Sequence, residues 1–448
     1  MQVSGSGIKS QAPIILRHMI GLIPKSINPF FEIKNSGRNS IVKDFDYWDT
    51  DRRQQFVFKA VKQNVEHAYA KIPFYHDYYD KNHFRPADLK SFGDIQTIPI
   101  INKKLLSEYP IHQRGFHIEG AVTNNTGGSS GHTLAFYADK NVRKVNEAKH
   151  MIIIWEKIGY KNSDLKLVLN GQNRVENDVD FCVQTNSLTL DVYREFSKTT
   201  EKLKKIATNL PIRFLHGYPS IIYEFALFCD GFDHELRDIL RKSLKGAFLG
   251  SEYPYSKLRD KIENVFCIDT VNWYGHTEAA ILAWEKREKF RYYPFQTYGF
   301  AEITDNGHLV GSSFYDKATP FIRYDTEDVI SDAEISDGFL ISFAIKEGRS
   351  GEYVTDKNGK NISLTALIFG RHHKLFDYCS HIQVCQKENG KAQVLFVPIE
   401  KGIELSPEKL FDSSNIEMEF SFRKLENPVR TKSGKLNLLI TQSQLLSK

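Results

Sequence analysis

Four short apolar runs, Leu165 to Leu169, Ile212 to Leu215, Ala247 to Leu249 and Val265 to Val271, are separated for the most part by stretches with helical spacing. Strands of that length alternating with helices predict βαβ units and a largely parallel or mixed sheet, so the chain is expected to be α/β. A helical stretch near 140 to 158 leads into the series. Upstream, residues 52 to 72 carry Phe58, Val61, Val65, Ala68 and Ile72 three and four apart, the stripe of a core-facing helix. Pro73, Pro86, Pro99 and Pro110 punctuate the loop-rich segment that follows.

From about residue 295 the pattern changes to strand and turn. Tyr298 to Ile303, the turn Asp305-Asn306-Gly307, His308 to Ser313 and Pro320 to Tyr324 predict a β-rich subdomain. Small polar residues at Gly348-Arg349-Ser350-Gly351 suggest a boundary, giving an N-terminal domain over 1–347 and a C-terminal domain over 348–448. In the second, a turn at Lys357-Asn358-Gly359 and strands at Ile382 to Cys385 and Val394 to Val397 are expected. A helix is expected to start at Ser406-Pro407, with serine as N-cap and proline at the first helical position.

Composition excludes several classes. The chain has 448 residues, 41% hydrophobic and 26% charged, which is neither disordered nor fibrous. Its net charge of +5 is spread over interspersed signs, so nucleic acid is not implied. The five cysteines are scattered without a C-x-x-C, which supports neither a disulfide framework nor a zinc site and suits a reducing compartment. The early apolar run Pro13 to Phe31 is broken by Arg17, His18, Pro24 and Lys25, so no transmembrane segment is expected and a cytoplasmic location is.

Thr126-Gly127-Gly128-Ser129-Ser130-Gly131-His132-Thr133 concentrates glycines and hydroxyls after the apolar lead Ala121-Val122. Glycines allow close backbone approach, and successive N–H groups with hydroxyl donors make a cradle for a polyphosphate. The spacing matches neither a Walker A loop nor a dinucleotide fingerprint. Tyr274-Gly275-His276-Thr277-Glu278 follows the last apolar run, which would bring Thr277 and Glu278 out at a strand end, where open α/β sheets bind ligands. Glu278 suits Mg²⁺, a hard cation that takes one or two carboxylates plus phosphate oxygens. Gly250-Ser251-Glu252 ends another run and could wall a purine pocket, and Asp328 closes a strand-like run, where a carboxylate can accept ribose hydroxyls. Lys435 follows Gly434 in Thr431-Lys432-Ser433-Gly434-Lys435. Each feature alone has an ordinary reading as a surface loop, a turn-forming acid or a solvated charge.

In order and approximate spacing, Thr126–Thr133, Tyr274–Glu278, Arg323–Asp328, Gly348-Arg349 and Lys435 resemble the core motifs of the adenylate-forming superfamily. The nearer likeness is to phenylacetate-coenzyme A ligase-like proteins and the capsular polysaccharide biosynthesis branch called CapK. It is carried by Leu215-His216-Gly217-Tyr218-Pro219-Ser220, His67-Ala68-Tyr69, Ile72-Pro73-Phe74-Tyr75, Pro99 to Lys103, Asp356 to Leu364 and Ile382 to Gln386. The resemblance implies an acyl-CoA synthetase-like fold: a large N-terminal α/β domain with a β-rich subdomain, and a small mobile C-terminal α+β domain hinged near Gly348 to Gly351. It implies an AMP-forming ligase using ATP and Mg²⁺, with coenzyme A allowed as a further cofactor. A small-molecule carboxylic acid attacks the α-phosphate to give an acyl-adenylate and pyrophosphate, and an amine, hydroxyl or thiol acceptor then displaces AMP. A homodimer is allowed.

In that scheme Thr126, Gly127, Gly128, Ser129, Ser130 and Gly131 clasp the β- and γ-phosphates, Glu278 holds the metal, and Thr277 serves the α-phosphate region. Asp328 fixes the ribose, Lys435 reaches the bridging oxygen, and Gly250, Ser251, Glu252, Tyr274, Gly275 and Arg349 complete the nucleotide site. His132-Thr133 replaces the usual Lys-Pro, Glu327 stands where glycine usually precedes the ribose-binding aspartate, and Gly351 or Glu352 stands where the hinge often has aspartate. The expected role is carboxylate activation in surface-glycan assembly or modification. The alternatives are an acyl- or aryl-coenzyme A ligase and a degenerate nucleotide-binding protein.

Overall fold

A computed structural model describes residues 14, 18, 19, 22, 40–125, 134–170, 178–192, 194–345, 353–359, 361–368, 373–400, 402–413, 416–430 and 436–446. Residues 148–273 form the body of one compact unit; residues 40–147, with 274–430 and 436–446, form a second.

In the first unit, strands run in the order Asp269–Gly275, Gly246–Leu249, Ile212–Gly217, Leu165–Leu169, Ser187–Leu190 and Val179–Cys182. Every neighbouring pair is parallel except the last, which is antiparallel. All residues of Leu165–Leu169 and Gly246–Leu249 are buried, as strands of a parallel sheet covered on both faces require. The helices Phe196–Asn209, Pro219–Gly231, His234–Ser243 and Ser256–Phe266 supply the cover, with Leu203, Ile222, Phe225, Leu240 and Ile262 in one core with the strands. Pro219 occupies the first helical position, and Asp233 caps its helix by accepting from the Leu236 amide at 3.0 Å.

The expected strand over Val265 to Val271 is corrected. Val265 and Phe266 end the helix Ser256–Phe266, Cys267 turns the chain in the left-handed region at φ 55°, and the strand starts at Asp269. Both a helix end and a buried strand read as apolar, and the residue that separates them is a cysteine rather than the glycine that usually marks such a cap.

In the second unit, Asp49 caps the 22-residue helix Thr50–Lys71 by accepting from the Arg52 amide at 2.8 Å, and Val57, Val61, Val65 and Ala68 bury its inner stripe. Antiparallel strands follow in the order Gly299–Ile303, His308–Ser313, Tyr324–Ser336, Phe339–Ile345, Arg291–Pro294 and Leu282–Trp284, with Ile101–Asn102 parallel to Tyr324 and Asp325. This is the expected β-rich part. The strand expected over Pro320 to Tyr324 is displaced: only Tyr324 belongs to one, because Pro320 has no N–H to give and Arg323 sits at φ 45°. Residues 313–322 are instead fastened by side chains of the N-terminal helices. Asn64 donates to the Ser313 carbonyl, Tyr75 to the Pro320 carbonyl, and a His67 ring nitrogen lies 2.9 Å from the Lys317 carbonyl oxygen.

Toward the C-terminus, Tyr353–Thr355 pairs with Asn361–Ser363 across the expected turn, and Cys379–Glu388, Lys391–Pro398 and Glu419–Lys424 form a three-stranded sheet. Its core, including Leu367, Ile382, Val394 and Phe411, is separate from the core around Phe74, Phe300 and Phe321. The helix Pro407–Leu410 has proline first as expected, but the Ser406 side chain makes no capping hydrogen bond. The boundary expected at 348 lies outside the described residues. All five cysteines are free, and no helix of the described residues is long and apolar enough to cross a membrane.

Candidate active site

Glu278 sits three residues beyond the strand Asp269–Gly275 and is 7% exposed. Its Oε1 accepts from the Tyr324 hydroxyl at 2.9 Å, and its Oε2 lies 3.2 Å from His276 Nδ1. Burial alone would push this carboxyl up. The hydrogen bond and charge of His276, the Glu278 amide and the Tyr324 hydroxyl outweigh it and hold the pKa down to about 2. The same buried pairing pushes the Tyr324 hydroxyl well above its ordinary value, so at neutral pH it stays a donor. His276 Nε2 is buried without a hydrogen-bond partner among the described residues.

Asp328 approaches the same region from a different strand. Its Oδ2 accepts from the Tyr274 hydroxyl at 2.6 Å, and Tyr274 stands edge-on to Phe343 with ring centroids 5.9 Å apart. Asp328 does not close a strand, as expected, but lies inside Tyr324–Ser336 at a bulge. Opposite it, His308 pairs with Val329 and Val310 with Asp325, so one residue on one strand, Leu309, faces three on the other, Thr326, Glu327 and Asp328. Thr326 spans the bulge by donating to the Leu309 carbonyl at 2.8 Å and accepting from the Asp328 amide at 3.3 Å. Bulges of this kind re-aim a side chain beside functional sites.

Four residues with a side chain occupy the left-handed region at these segments: Ser251 at φ 67°, Ala279 at φ 56°, Arg323 at φ 45° and Glu327 at φ 61°. Such backbone costs of order 1–3 kcal/mol each and concentrates at functional sites. The position of Glu327 needs the conformation that glycine adopts freely. Glu327→Gly is expected to stabilise the fold by about 1 kcal/mol, the relief of strain exceeding the entropy that glycine adds to the unfolded chain. Urea unfolding checks this, and Glu327→Ala, which keeps the left-handed cost, should bring no gain.

Gly250 and Glu252 belong to the first unit. A Cβ on Gly250 would lie 2.2 Å from the Trp273 ring, so only glycine fits there. Glu252, expected to wall a purine pocket, accepts at 3.1 Å from the Ser220 amide and so caps the helix Pro219–Gly231. Thr277 and Gly275 are exposed. Thr126, Gly127, Gly128, Ser129, Ser130, Gly131, Arg349 and Lys435 lie outside the described residues. The strands flanking the first of these segments pair in antiparallel register from Val122↔Ala138 to Asn125↔Ala135. Arg430 bridges Leu436 on either side of the last, and Gln383 braces the same place by donating to the Val429 and Asn437 carbonyls at 2.8 and 2.7 Å.

No protein-family model and no curated protein matches the sequence. Among solved structures, 2-hydroxyisobutyryl-CoA ligase in its postadenylation state with R3-HIB-AMP matches with a TM-score of 0.63 at 16% identity, over 89% of this chain and 91% of that one. The same ligase with 2-HIB-AMP and CoA in the thioesterification state matches with a TM-score of 0.53 at 16% identity, over 91% and 94%. The chain has this ligase's fold. The acyl-CoA synthetase-like architecture expected from the motifs is thus present, with a large α/β part and a smaller C-terminal part.

Within that fold, sequence reasoning missed Arg143, whose guanidinium donates to the Thr277 and Glu278 carbonyls. It named His276 and Tyr324 only as members of longer motifs. Their signal was available in hindsight, since a buried carboxylate needs donors and both lie within the quoted segments. Arg143 belongs to no motif. His373 is buried, its Nδ1 accepting at 2.7 Å from the Asp412 amide.

Proposed function

We propose that the chain is an AMP-forming ligase that activates a carboxylate as its acyl-adenylate and passes the acyl group to a nucleophile. The observation that carries this reading is the ionised, buried Glu278, held by His276 and Tyr324 within a fold shared with a ligase solved in complex with an acyl-AMP. His276 Nε2, unpaired among the described residues, supports it, because nearly every buried polar atom in a folded chain is paired, and one beside a carboxylate suits a bound polar ligand.

A magnesium ion fits the donor set. Among the described residues no group of three histidine, cysteine or acidic side chains could cage a metal, but a carboxylate offers about four lone-pair sites, and magnesium usually takes one or two carboxylates with phosphate oxygens. Glu278 would hold it, and it would supply charge neutralisation at the phosphates. Asp328, steadied by Tyr274, would take the ribose hydroxyls; Thr277 would donate near the α-phosphate. The hydroxyls and amides of Thr126 to Gly131 would grip the terminal phosphates, with Arg349 and Lys435 arriving from the C-terminal part. The attacking carboxylate is already ionised at neutral pH and needs no base. Catalysis is then mostly orientation and placed charge.

Domain 348–448 would turn about the segment near 348, a reading supported by its separate core. The chain would work in the cytoplasm. For the acceptor, coenzyme A is favoured by the neighbour solved with 2-HIB-AMP and CoA. A role in surface-glycan assembly rests on the CapK-like motifs alone.

The test is pyrophosphate release from ATP across a panel of amino acids, uronic acids, aryl acids and short hydroxy and fatty acids, without and with coenzyme A. AMP and pyrophosphate are the expected nucleotide products. ADP and orthophosphate as primary products, or no acid-dependent turnover at all, would sink the proposal.

A further inference from the structure

Arg143 lies near the start of the helix Lys140–Glu156 and is 12% exposed. Its Nη1 donates to the Thr277 carbonyl, its Nη2 to the Glu278 carbonyl at 3.3 Å, and its Nε to the carboxylate of Asp316, which is 2% exposed. The guanidinium carbon sits 4.9 Å from the centre of the Phe136 ring. Asp316 is itself fixed, its Oδ1 accepting from the Ala318 and Thr319 amides at 2.9 and 3.4 Å. One planar group is thus anchored by a buried charge and a ring while it spans two successive peptide carbonyls.

We propose that Arg143 is a positioning residue that pins the Thr277–Glu278 peptide and so sets where the Glu278 carboxylate meets a divalent cation bound to a triphosphate. The turn it pins has a reason to spring. Ala279 is held at φ 56°, with its amide donating to the His276 carbonyl at 3.0 Å, and strained backbone persists only where its surroundings over-determine it. A lysine could not replace the arginine, because a point charge on a flexible stem cannot span two carbonyls and a carboxylate at once. The inference rests on the proposed reaction only for the identity of the ligand.

The experiment compares wild type, Arg143→Gln and Arg143→Lys, with Asp316→Asn as a milder variant that keeps the guanidinium and removes its charged anchor. Three quantities are read: the Kd of Mn·ATP by Mn²⁺ electron paramagnetic resonance, the Kd of ATP in excess chelator, and amide exchange across 274–284. Loss of an outer-shell partner typically weakens metal binding about 10- to 100-fold. That loss is expected for Mn·ATP in both arginine variants, with faster exchange confined to the turn and metal-free ATP binding nearly unchanged. Asp316→Asn should move the same way by less. Equal weakening with and without metal, or unchanged exchange at the turn, would overturn the inference, as would a wild type that binds no Mn·ATP. If no acid yields AMP but Mn·ATP still separates the variants, the reaction fails and the positioning role stands. If wild type forms AMP and the variants keep its metal dependence, the positioning role alone fails.

Discussion

Glu278→Gln is expected to lower acid-dependent pyrophosphate release by about 10²- to 10³-fold, the loss seen when one preorganised charged group is removed from a polar site. Glutamine keeps the shape, and its amide oxygen can still accept from Tyr324, so the variant isolates the charge. Part of the loss should be recovered by raising Mg²⁺, because weakened metal affinity is a mass-action deficit. Rates that are unchanged at every Mg²⁺ concentration would remove Glu278 from the site.

The same substitution has a signature in stability. The folded carboxyl is held at about 2 against an ordinary 4.5, so its contribution is present in full above pH 4.5 and is lost as pH falls through the folded value. The difference corresponds to roughly 3 kcal/mol as an order of magnitude. Urea unfolding of wild type should therefore exceed that of Glu278→Gln most clearly near pH 6 and converge with it toward pH 2. A gap that widened on acidification would contradict the pairing with His276 and Tyr324.

Lys435→Ala should be comparably severe but selective. If the C-terminal part presents its lysine only while the adenylate forms, pyrophosphate release should fall about 10²- to 10³-fold. Transfer from a synthetic acyl-adenylate to the acceptor should be nearly intact, and ATP affinity should change far less. Arginine should substitute poorly, since a planar fork does not replace a compact ammonium. Single-turnover measurement of both half-reactions decides it: equal losses in each, or none in the first, would leave Lys435 as a solvated charge.

Much of the scaffold was legible because its strands are buried on both faces and so read as unbroken apolar runs. Leu165–Leu169 falls where its apolar run placed it, and His308–Ser313 where the turn at Asp305-Asn306-Gly307 placed it. The displaced strand boundaries and the hidden bulge share one cause, backbone turned by residues that do not advertise it. Cys267, Arg323 and Glu327 all take left-handed conformations without being glycine, and each shifted a boundary or hid a bulge. Of the expected site residues, the carboxylates Glu278 and Asp328 were named from motif order, and the structure gives each a tyrosine hydroxyl as partner. Those partners were less legible, since Tyr274 and Tyr324 act through hydroxyls 54 and 46 residues distant in sequence from the acids they bond. Arg143 acts through main-chain carbonyls, which leave no trace in the pattern of side chains.

The bulge that carries Asp328 inserts an even number of residues. Because side chains alternate across a strand, two extra residues leave the parity of everything downstream intact, and Ile330 returns to the buried face that Tyr324 also occupies. The insertion is therefore detachable. Removing Thr326 and Glu327 together would leave a plain ladder with the same residues facing inward, whereas removing either one alone would turn the rest of the strand inside out. The placement of the Asp328 carboxylate and the integrity of the sheet are thus separable in units of two residues, so this corner of the protein can re-aim that side chain without renegotiating the core beneath it.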